Sequence, residues 1–275
     1  MANQGNQRGA TLIELIMVIA IFGVIATVAS VFIKAPIDAY VDSARRAALT
    51  DAADTAMRRM ARDIRKALPY SARIPHNQCL EFIPTKTAGR YRALVDASPT
   101  SDILDFVASD SSFNMLGLNE DLPADQKIEA GDVVAVYNLG VSGANAYTGD
   151  NTSVVSGVAK DVDLKEDTIL IAAKKFPLAS GGKRFYVIPA AENIVAYVCD
   201  DGKLRRTVRG FDPTDPSADY CPTTGPIMAS NVASCNFVHD VSDLQRNEQV
   251  QLTITFTDSG ESISLYHQVY ENNWP

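Results

Sequence analysis

The sequence predicts an α+β fold in which one long N-terminal α-helix packs on an antiparallel β-sheet head. First, residues 15–33 form an apolar run without a charged side chain. Second, apolar residues recur at helical spacing between residues 38 and 68. Third, short alternating or apolar segments follow Pro69, as is typical of β-strands. The first half of the helix is therefore expected to be apolar, and the head to be β-rich.

Length, composition and charge exclude several classes of protein. A chain of 275 residues has ample length for a sizeable core. With 46% apolar and 21% charged residues, disorder over most of the chain is not expected. The formal net charge of −8 argues against a nucleic-acid partner, because such proteins usually present a basic face.

The apolar run predicts one membrane span at the N-terminus. Its 19 residues extend over roughly 28 Å as a helix, close to the apolar thickness of a bilayer. A cleaved secretory signal and a plain anchor are both possible interpretations. Neither explains Glu14, since a charge at the centre of a span costs about 2.5–3.5 kcal/mol, and less near its end. An ionisable residue at such a position indicates function.

The residues around Glu14 point to a third interpretation. A short polar leader ends in Arg8 and Gly9, and Glu14 is the fifth residue after that glycine. This pattern resembles the type III signal of type IV prepilins, although the family usually has phenylalanine where this chain has Ala10. The resemblance implies that a prepilin peptidase cleaves between Gly9 and Ala10, and that the new N-terminus of Ala10 is methylated.

Elementary electrostatics gives Glu14 a role in this setting. Ala10 and Glu14 are neighbours on a helix, and a free α-amine on Ala10 is largely protonated at neutral pH. An unpaired carboxylate in a dry fibre core is strongly disfavoured, so Glu14 is expected to pair with an amine of its own or an adjacent subunit. Such pairing fixes the register between subunits. The simpler alternative is a carboxylate that reaches out to water.

The resemblance implies four segments. Residues 1–9 form the cleaved leader, 10–34 the transmembrane and fibre-core helix, 35–68 an amphipathic helix, and 69–275 the β-rich head. Pro36 is expected to kink or loosen the helix. The leader stays in the cytoplasm and the acidic head lies in the periplasm.

The amphipathic segment has one apolar face and several arginines. We interpret it as a helix docked on the head with a solvated basic face, and the alternative is a basic surface for a membrane or partner. The predicted docking face comprises Leu49, Ala53, Met57, Met60, Ile64 and Leu68.

The head is predicted to contain strands and two hairpins. One hairpin joins 193–198 to 203–208 through Asp201-Gly202, and the other joins 249–257 to 262–270 through residues 258–260. Other predicted strands are 80–84, 103–107, 133–137, 168–171 and 184–188.

The four cysteines allow two disulfides in an oxidising compartment. Three pairings are possible. We suggest Cys199 with Cys221, which leaves Cys79 for Cys235. Free buried thiols are the alternative.

Residue patterns for catalysis are missing from the sequence. The three histidines, His76, His239 and His267, are isolated, and there is no nucleophile elbow or phosphate loop. We therefore expect no enzyme and no cofactor. Calcium at the acidic loop of Asp212, Asp215 and Asp219 is a weak alternative to solvated turn residues, and no metal is expected.

The resemblance implies assembly as the function. The layout of the chain is similar to minor pilins of the mannose-sensitive haemagglutinin (MSHA) pilus biogenesis group, which implies initiation or capping of a type IV pilus. The implied partners are the prepilin peptidase, major and minor pilins, the inner-membrane assembly platform and inner-membrane lipid. The implied location is the bacterial inner membrane, and a fibre after processing. The alternatives are a J-like minor pseudopilin of type II secretion and a membrane-anchored periplasmic binding module that never polymerises.

Overall fold

A computed structural model describes residues 9–96, 101–161, 166–211, 221–240 and 249–270. It divides the chain into two compact units, Met1–Leu49 and Thr50–Pro275. One helix, α1 (Leu12–Ile64), begins in the first unit and ends in the second, and every described strand lies in the second. All strand pairings are antiparallel. The predicted α+β architecture is thus confirmed.

The last turns of α1 dock on the head as predicted. Of the predicted face, Ala53, Met57, Met60 and Ile64 are all buried in the second unit, and so is Leu68. Burying side chains of this kind stabilises the fold by about 25 cal/mol for each Å² of apolar surface that is removed from water. The spacing of apolar residues in the sequence therefore identified the side of the helix that packs on the head.

The helix ends at Ile64, four residues earlier than expected. The amide of Leu68 donates to the carbonyl oxygen of Ile83 at 2.7 Å, and the amide of Thr85 donates to the carbonyl oxygen of Lys66 at 2.8 Å. Through these two hydrogen bonds, backbone groups that follow the end of the helix are paired with residues outside the helix. The segment that was expected to be the last helical turn therefore pairs with the chain around Ile83 instead.

Helix α1 runs through Pro36 without a break. Proline has no amide hydrogen, so Pro36 cannot donate the usual helical hydrogen bond to the carbonyl oxygen of Phe32, four residues earlier. Only this one donor is missing in a helix of 53 residues, and the helix continues on both sides of Pro36.

The described strands are arranged in three sheets. Among the described residues, two short 3₁₀-helices, Asn119–Asp121 and Ala146–Thr148, lie in the loops. In chain order the strands are β1 (Arg73–His76), β2 (Cys79–Phe82), β3 (Thr87–Arg90), β4 (Asp110–Asn114), β5 (Val133–Ala135), β6 (Thr152–Asp161), β7 (Glu166–Lys174), β8 (Arg184–Ile188), β9 (Ile194–Asp200), β10 (Lys203–Arg209), β11 (Ile227–Ser230), β12 (Val232–Asp240), β13 (Gln249–Asp258) and β14 (Glu261–Tyr270).

The six-stranded sheet has the order β3-β8-β5-β6-β7-β4 and closes on itself. Tyr91, just after β3, bridges Met115, just after β4. The amide of Leu116 also donates to the carbonyl oxygen of Arg90 at 2.8 Å. Closure pairs the two outer strands of this sheet, and its interior is filled by a buried cluster that includes Phe113, Phe185, Val134, Val187, Ile169 and Phe176.

The other two sheets contain the predicted hairpins. The five-stranded sheet has the order β1-β2-β9-β10-β11, and the three-stranded sheet has the order β12-β13-β14. Asp201 and Gly202 both have positive φ (46° and 68°), as a type I′ turn requires. Ser259 and Gly260 repeat this at the second turn, with φ of 50° and 90°. Both hairpin predictions are confirmed.

One strand prediction is wrong. Residues 103–107 lie outside every strand, although Leu104 is buried in the core of the six-stranded sheet. The amide of Leu104 donates to the carbonyl oxygen of Arg92 at 3.1 Å. The apolar residues of this segment fill the core from a loop, so apolar character alone was a misleading signal there.

Candidate functional site

The N-terminal segment places Gly9, Ala10 and Thr11 just ahead of α1. All three are exposed and lie outside the helix, which begins at Leu12. Nothing lies within 4 Å of the position that a Cβ on Gly9 would occupy. The peptide bond between Gly9 and Ala10 is therefore in open surroundings in the described part of the chain.

Glu14 lies in the first turn of α1 and accepts a backbone hydrogen bond there. One of its carboxylate oxygens, Oε2, accepts a hydrogen bond from the amide of Thr11 at 3.4 Å, and the Glu14 amide donates to the Thr11 carbonyl oxygen at 3.0 Å. Thr11 is the N-cap residue and Glu14 lies three positions later, which is the spacing of a capping box. A negative charge in the first turn also interacts favourably with the helix dipole.

The expected pairing of Glu14 with a free amine on Ala10 concerns the cleaved chain and stays a prediction. Ala10 lies outside the helix, so the two residues are not helical neighbours while the leader is attached. The partner of the carboxylate is the backbone amide of Thr11, which the sequence interpretation missed. The signal was present, because threonine, two residues and glutamate before an apolar run is a known N-terminal helix pattern.

Apart from Glu14, the surface of α1 from Leu12 to Phe32 is largely apolar and exposed. From Leu12, 79% exposed, to Phe32, 76% exposed, large aliphatic and aromatic side chains project into the surroundings. The hydroxyl of Thr27 donates to the carbonyl oxygens of Gly23 and Val24, at 3.0 and 2.8 Å. Such bonds let a polar side chain enter an apolar environment without an unsatisfied group.

Helix α1 contains a stretch long and apolar enough to cross a membrane, by length and composition. It is the one such helix among the described residues. Contiguous exposed apolar side chains of this kind are typical of surfaces that contact lipid or another protein.

Comparison with known proteins gives this segment a family context. Residues 4–30 match the family model described as the prokaryotic N-terminal methylation motif. The chain begins with a prepilin-type motif. The match supports a type IV pilin or pseudopilin, a family of structural subunits, and implies processing by a prepilin peptidase and pilin-type partners. With the apolar helix, it fits a membrane-anchored pilin. No curated protein and no solved structure matches the chain.

The structure forms two disulfides, but the suggested pairing is wrong. Cys79 is joined to Cys221, and Cys199 is joined to Cys235. Cys79 lies opposite Val198 in the ladder of β2 and β9, so the two side chains share a face, where Cys221 packs. Cys199 follows Val198 and points to the other face of the sheet. The two bridges therefore lie on opposite faces, which the sequence could not reveal.

The weak calcium candidates Asp212, Asp215 and Asp219 lie outside the described residues. Within the described ranges, His76, Cys79 and Cys221 form the only group with the spacing of metal ligands. The two sulfur atoms are joined in a disulfide and so do not offer thiolates.

An ion-pair network fixes the end of α1 to the five-stranded sheet. Asp63 of α1 accepts hydrogen bonds from the hydroxyl of Tyr197 at 2.6 Å and from Nε of Arg206 at 3.1 Å. The guanidinium of Arg206 also binds both carboxylate oxygens of Glu192, at 2.8 and 2.7 Å. Burial and the hydrogen bond to Asp63 raise the pKa of Tyr197. The hydrogen bond from Arg206 lowers the pKa of Glu192.

This network lines a cleft of about 400 Å³ beside the helix end. Its central charged side chains are bound to one another, so they hold the helix rather than present a nucleophile and base.

Proposed function

We propose that this chain is a pilin-like structural subunit that assembles into a fibre, most like a minor pilin of the MSHA pilus biogenesis group. The observation that carries the proposal is the position of Glu14. It stands five residues after Gly9, within the matched motif and at the start of an exposed apolar helix.

Processing comes first in the proposed sequence. A prepilin peptidase hydrolyses the bond between Gly9 and Ala10, which releases the leader and leaves an ammonium group on Ala10. After this group loses a proton, the free amine of Ala10 becomes the methylation site. The open surroundings of Gly9 support access by the peptidase. The carboxylate of Glu14 already reaches back to the amide of Thr11, one residue from the new amine.

Assembly follows from the apolar helix. Before assembly the inner-membrane lipid covers the exposed apolar side chains, and in a fibre the helices of other pilins cover them. Glu14 then pairs with an ammonium group of its own or a neighbouring subunit, because an unpaired charge there is costly. The pairing sets the axial register. The inner-membrane assembly platform would carry out the transfer, and initiation or capping is the proposed role.

The proposed location of the head is the periplasm. Two disulfides, Cys79–Cys221 and Cys199–Cys235, favour an oxidising compartment for the head. A short leader that ends in Arg8 favours a cytoplasmic start. Both observations support a single-pass protein with its head outside the cytoplasm.

Glutamine and alanine substitutions at Glu14 test the proposal. Glu14→Gln keeps a side-chain acceptor for the capping box but removes the charge, and Glu14→Ala removes both. Asp38→Asn is the matched control, since it removes one exposed carboxylate from α1 outside the apolar run. Fibres sheared from cells that express each variant are probed for the subunit.

We expect Asp38→Asn to enter fibres like the wild type and both Glu14 variants to be lost from them. Normal incorporation of Glu14→Gln would reduce the role of Glu14 to helix capping and contradict the register proposal. Loss of protein secretion with intact pili on deletion of the gene would identify a pseudopilin instead. Normal function of all variants without polymerisation would identify an anchored binding module.

A further inference from the structure

A histidine lies beside one of the two disulfides. An imidazole nitrogen of His76 and the sulfur atoms of Cys79 and Cys221 all lie within 4.8 Å of one another. His76 and Cys79 are opposed residues of the hairpin that joins β1 to β2, with two turn residues between them. Opposed residues of an antiparallel pair have neighbouring side chains on one face. The imidazole and the buried sulfur of Cys79 therefore lie on the same side of this hairpin.

The turn between His76 and Cys79 is held from two neighbouring strands. The amide of Phe237 on β12 donates to the carbonyl oxygen of Asn77 at 2.8 Å. The amide of Cys199 on β9 donates to the carbonyl oxygen of Gln78 at 2.9 Å. These bonds fix the hairpin through its backbone and do not involve the sulfur atoms of Cys79 and Cys221. Two members of the group are thus positioned by the sheet itself.

The three side chains are of the types that bind zinc. Thiolates and imidazole are its usual ligands, at about 2.3 Å for sulfur and about 2.0–2.1 Å for nitrogen. Around a tetrahedral ion such ligand atoms lie about 3.4–3.8 Å apart, so the two sulfur atoms have to separate by less than about 2 Å once the bond between them is absent. The Cα atoms of Cys79 and Cys221 are 6.2 Å apart. His76 is exposed, which leaves one side of the group open for entry of the ion.

We propose that the thiol form of this pair binds one Zn²⁺ through the sulfur atoms of Cys79 and Cys221 and an imidazole nitrogen of His76, with water in the fourth position. A newly made chain carries thiols before any disulfide forms, so the zinc form precedes the bridge. Each thiol loses its proton as its bond to zinc forms. Zinc and the disulfide exclude each other, because both use the same two sulfur atoms. This role does not depend on cleavage after Gly9 or on entry into a fibre.

The second cysteine pair provides an internal comparison. Among the residues that the structure describes, no histidine, aspartate or glutamate completes a group of this spacing with Cys199 and Cys235. Zinc sites in proteins have three or four protein ligands. The zinc site is therefore specific to the pair beside His76.

Zinc titration of the intact, reduced chain in detergent tests the proposal. A phosphine reductant keeps all four cysteines as thiols, and a chromophoric chelator competes for Zn²⁺. The double variant Cys199→Ser/Cys235→Ser keeps the three proposed ligands, whereas Cys79→Ser/Cys221→Ser removes two of them. Neither disulfide is present in the reduced chain, so the two double variants are compared without the contribution of a bridge to stability.

Single histidine variants test the third ligand. His76→Gln removes the imidazole at an exposed position, and His267→Gln is its control because His267 does not belong to the group. We expect His267→Gln to bind one Zn²⁺ like the wild type. We expect His76→Gln to bind at least about tenfold more weakly, since loss of a group that merely supports a ligand already costs about 10–100-fold.

The double variants and the folded state decide the remaining outcomes. We expect Cys199→Ser/Cys235→Ser to bind zinc like the wild type and Cys79→Ser/Cys221→Ser to lose binding. Near-UV circular dichroism of the zinc-bound, reduced chain should match that of the oxidised chain, because binding to a site built by the fold stabilises the fold. Equal affinity in His76→Gln, equal affinity in guanidinium, or zinc bound to a chain that stays unfolded would overturn the proposal.

The rate of disulfide formation gives a second readout. When oxidised glutathione closes a bridge, a bond forms between the two cysteine sulfurs, the glutathione disulfide breaks, and its two sulfurs leave as thiols with the two protons. If zinc occupies about nine tenths of the chains, closure of Cys79–Cys221 should slow about tenfold, because only the metal-free fraction reacts. Closure of Cys199–Cys235 should be unchanged. Mass spectrometry after alkylation distinguishes the two bridges, and equal slowing of both, or of neither, would overturn the proposal.

Discussion

Removing one hydroxyl group tests how α1 is held on the head. Tyr197 is fully buried, and its hydroxyl donates to Oδ2 of Asp63 at 2.6 Å. Tyr197→Phe removes this bond and changes little else in shape. A hydrogen bond to a charged group contributes about 1.5–3 kcal/mol. Arg206 still binds Asp63, whose side chain is 24% exposed, so we expect the lower part of that range, about 1.5–2 kcal/mol.

The assay is thermal and guanidinium unfolding of the chain with its disulfides intact. For a folded unit of this size, a loss of about 1.5–2 kcal/mol lowers Tm by about 3–8 °C. Tyr266→Phe is the control, because Tyr266 is exposed on β14 and a surface change of this kind has an effect within about 0.5 kcal/mol. If Tyr197→Phe unfolds like the control, Tyr197 does not hold the helix and the reasoning is refuted.

Three further predictions concern the head. Replacing Cys199 and Cys235 together by serine should cost about 4 kcal/mol for a separation of 36 residues, which guanidinium unfolding measures; an unchanged midpoint would contradict it. Met60→Ala should cost about 2–5 kcal/mol because Met60 is fully buried at the docking face, and a loss below about 0.5 kcal/mol would show that the site is not packed. The hydrogen bond from Arg206 lowers the pKa of Glu192, so its stabilisation is present above the unfolded pKa of about 4.3 and is lost as pH falls through the folded value. In Arg206→Gln the free energy of unfolding should therefore fall less as the pH is lowered than it does in the wild type. An unchanged dependence of the unfolding free energy on pH would show that the bond between Arg206 and Glu192 does not cause it.

The sequence predicted the elements whose pattern is local. Asp201-Gly202 marks a tight hairpin because its two residues accept positive φ, and the alternation around it sets the flanking strands. The apolar spacing around Met60 set the docking face of α1 in the same way. Glu14 stood out because a carboxylate in an apolar run has a physical cost.

Elements that depend on distant partners were not predictable. Strand β4 has the polar sequence DSSFN, and only its pairing with β7 makes it a strand. The helix ends early at Ile64 because Leu68 finds a backbone partner in Ile83, nineteen positions after the helix end. The disulfide pairing depends on which face of β9 each cysteine shares, and no spacing in the sequence contains that information.

The central claim, that the chain is processed and assembled as a pilin, is tested most directly by its N-terminus. The measurement is the intact mass and N-terminal sequence of the protein isolated from its native membrane. We predict a chain that begins at Ala10, with its new amine methylated. A chain that still begins at Met1, or one that begins near Ser30 after removal of the apolar run, would contradict the account.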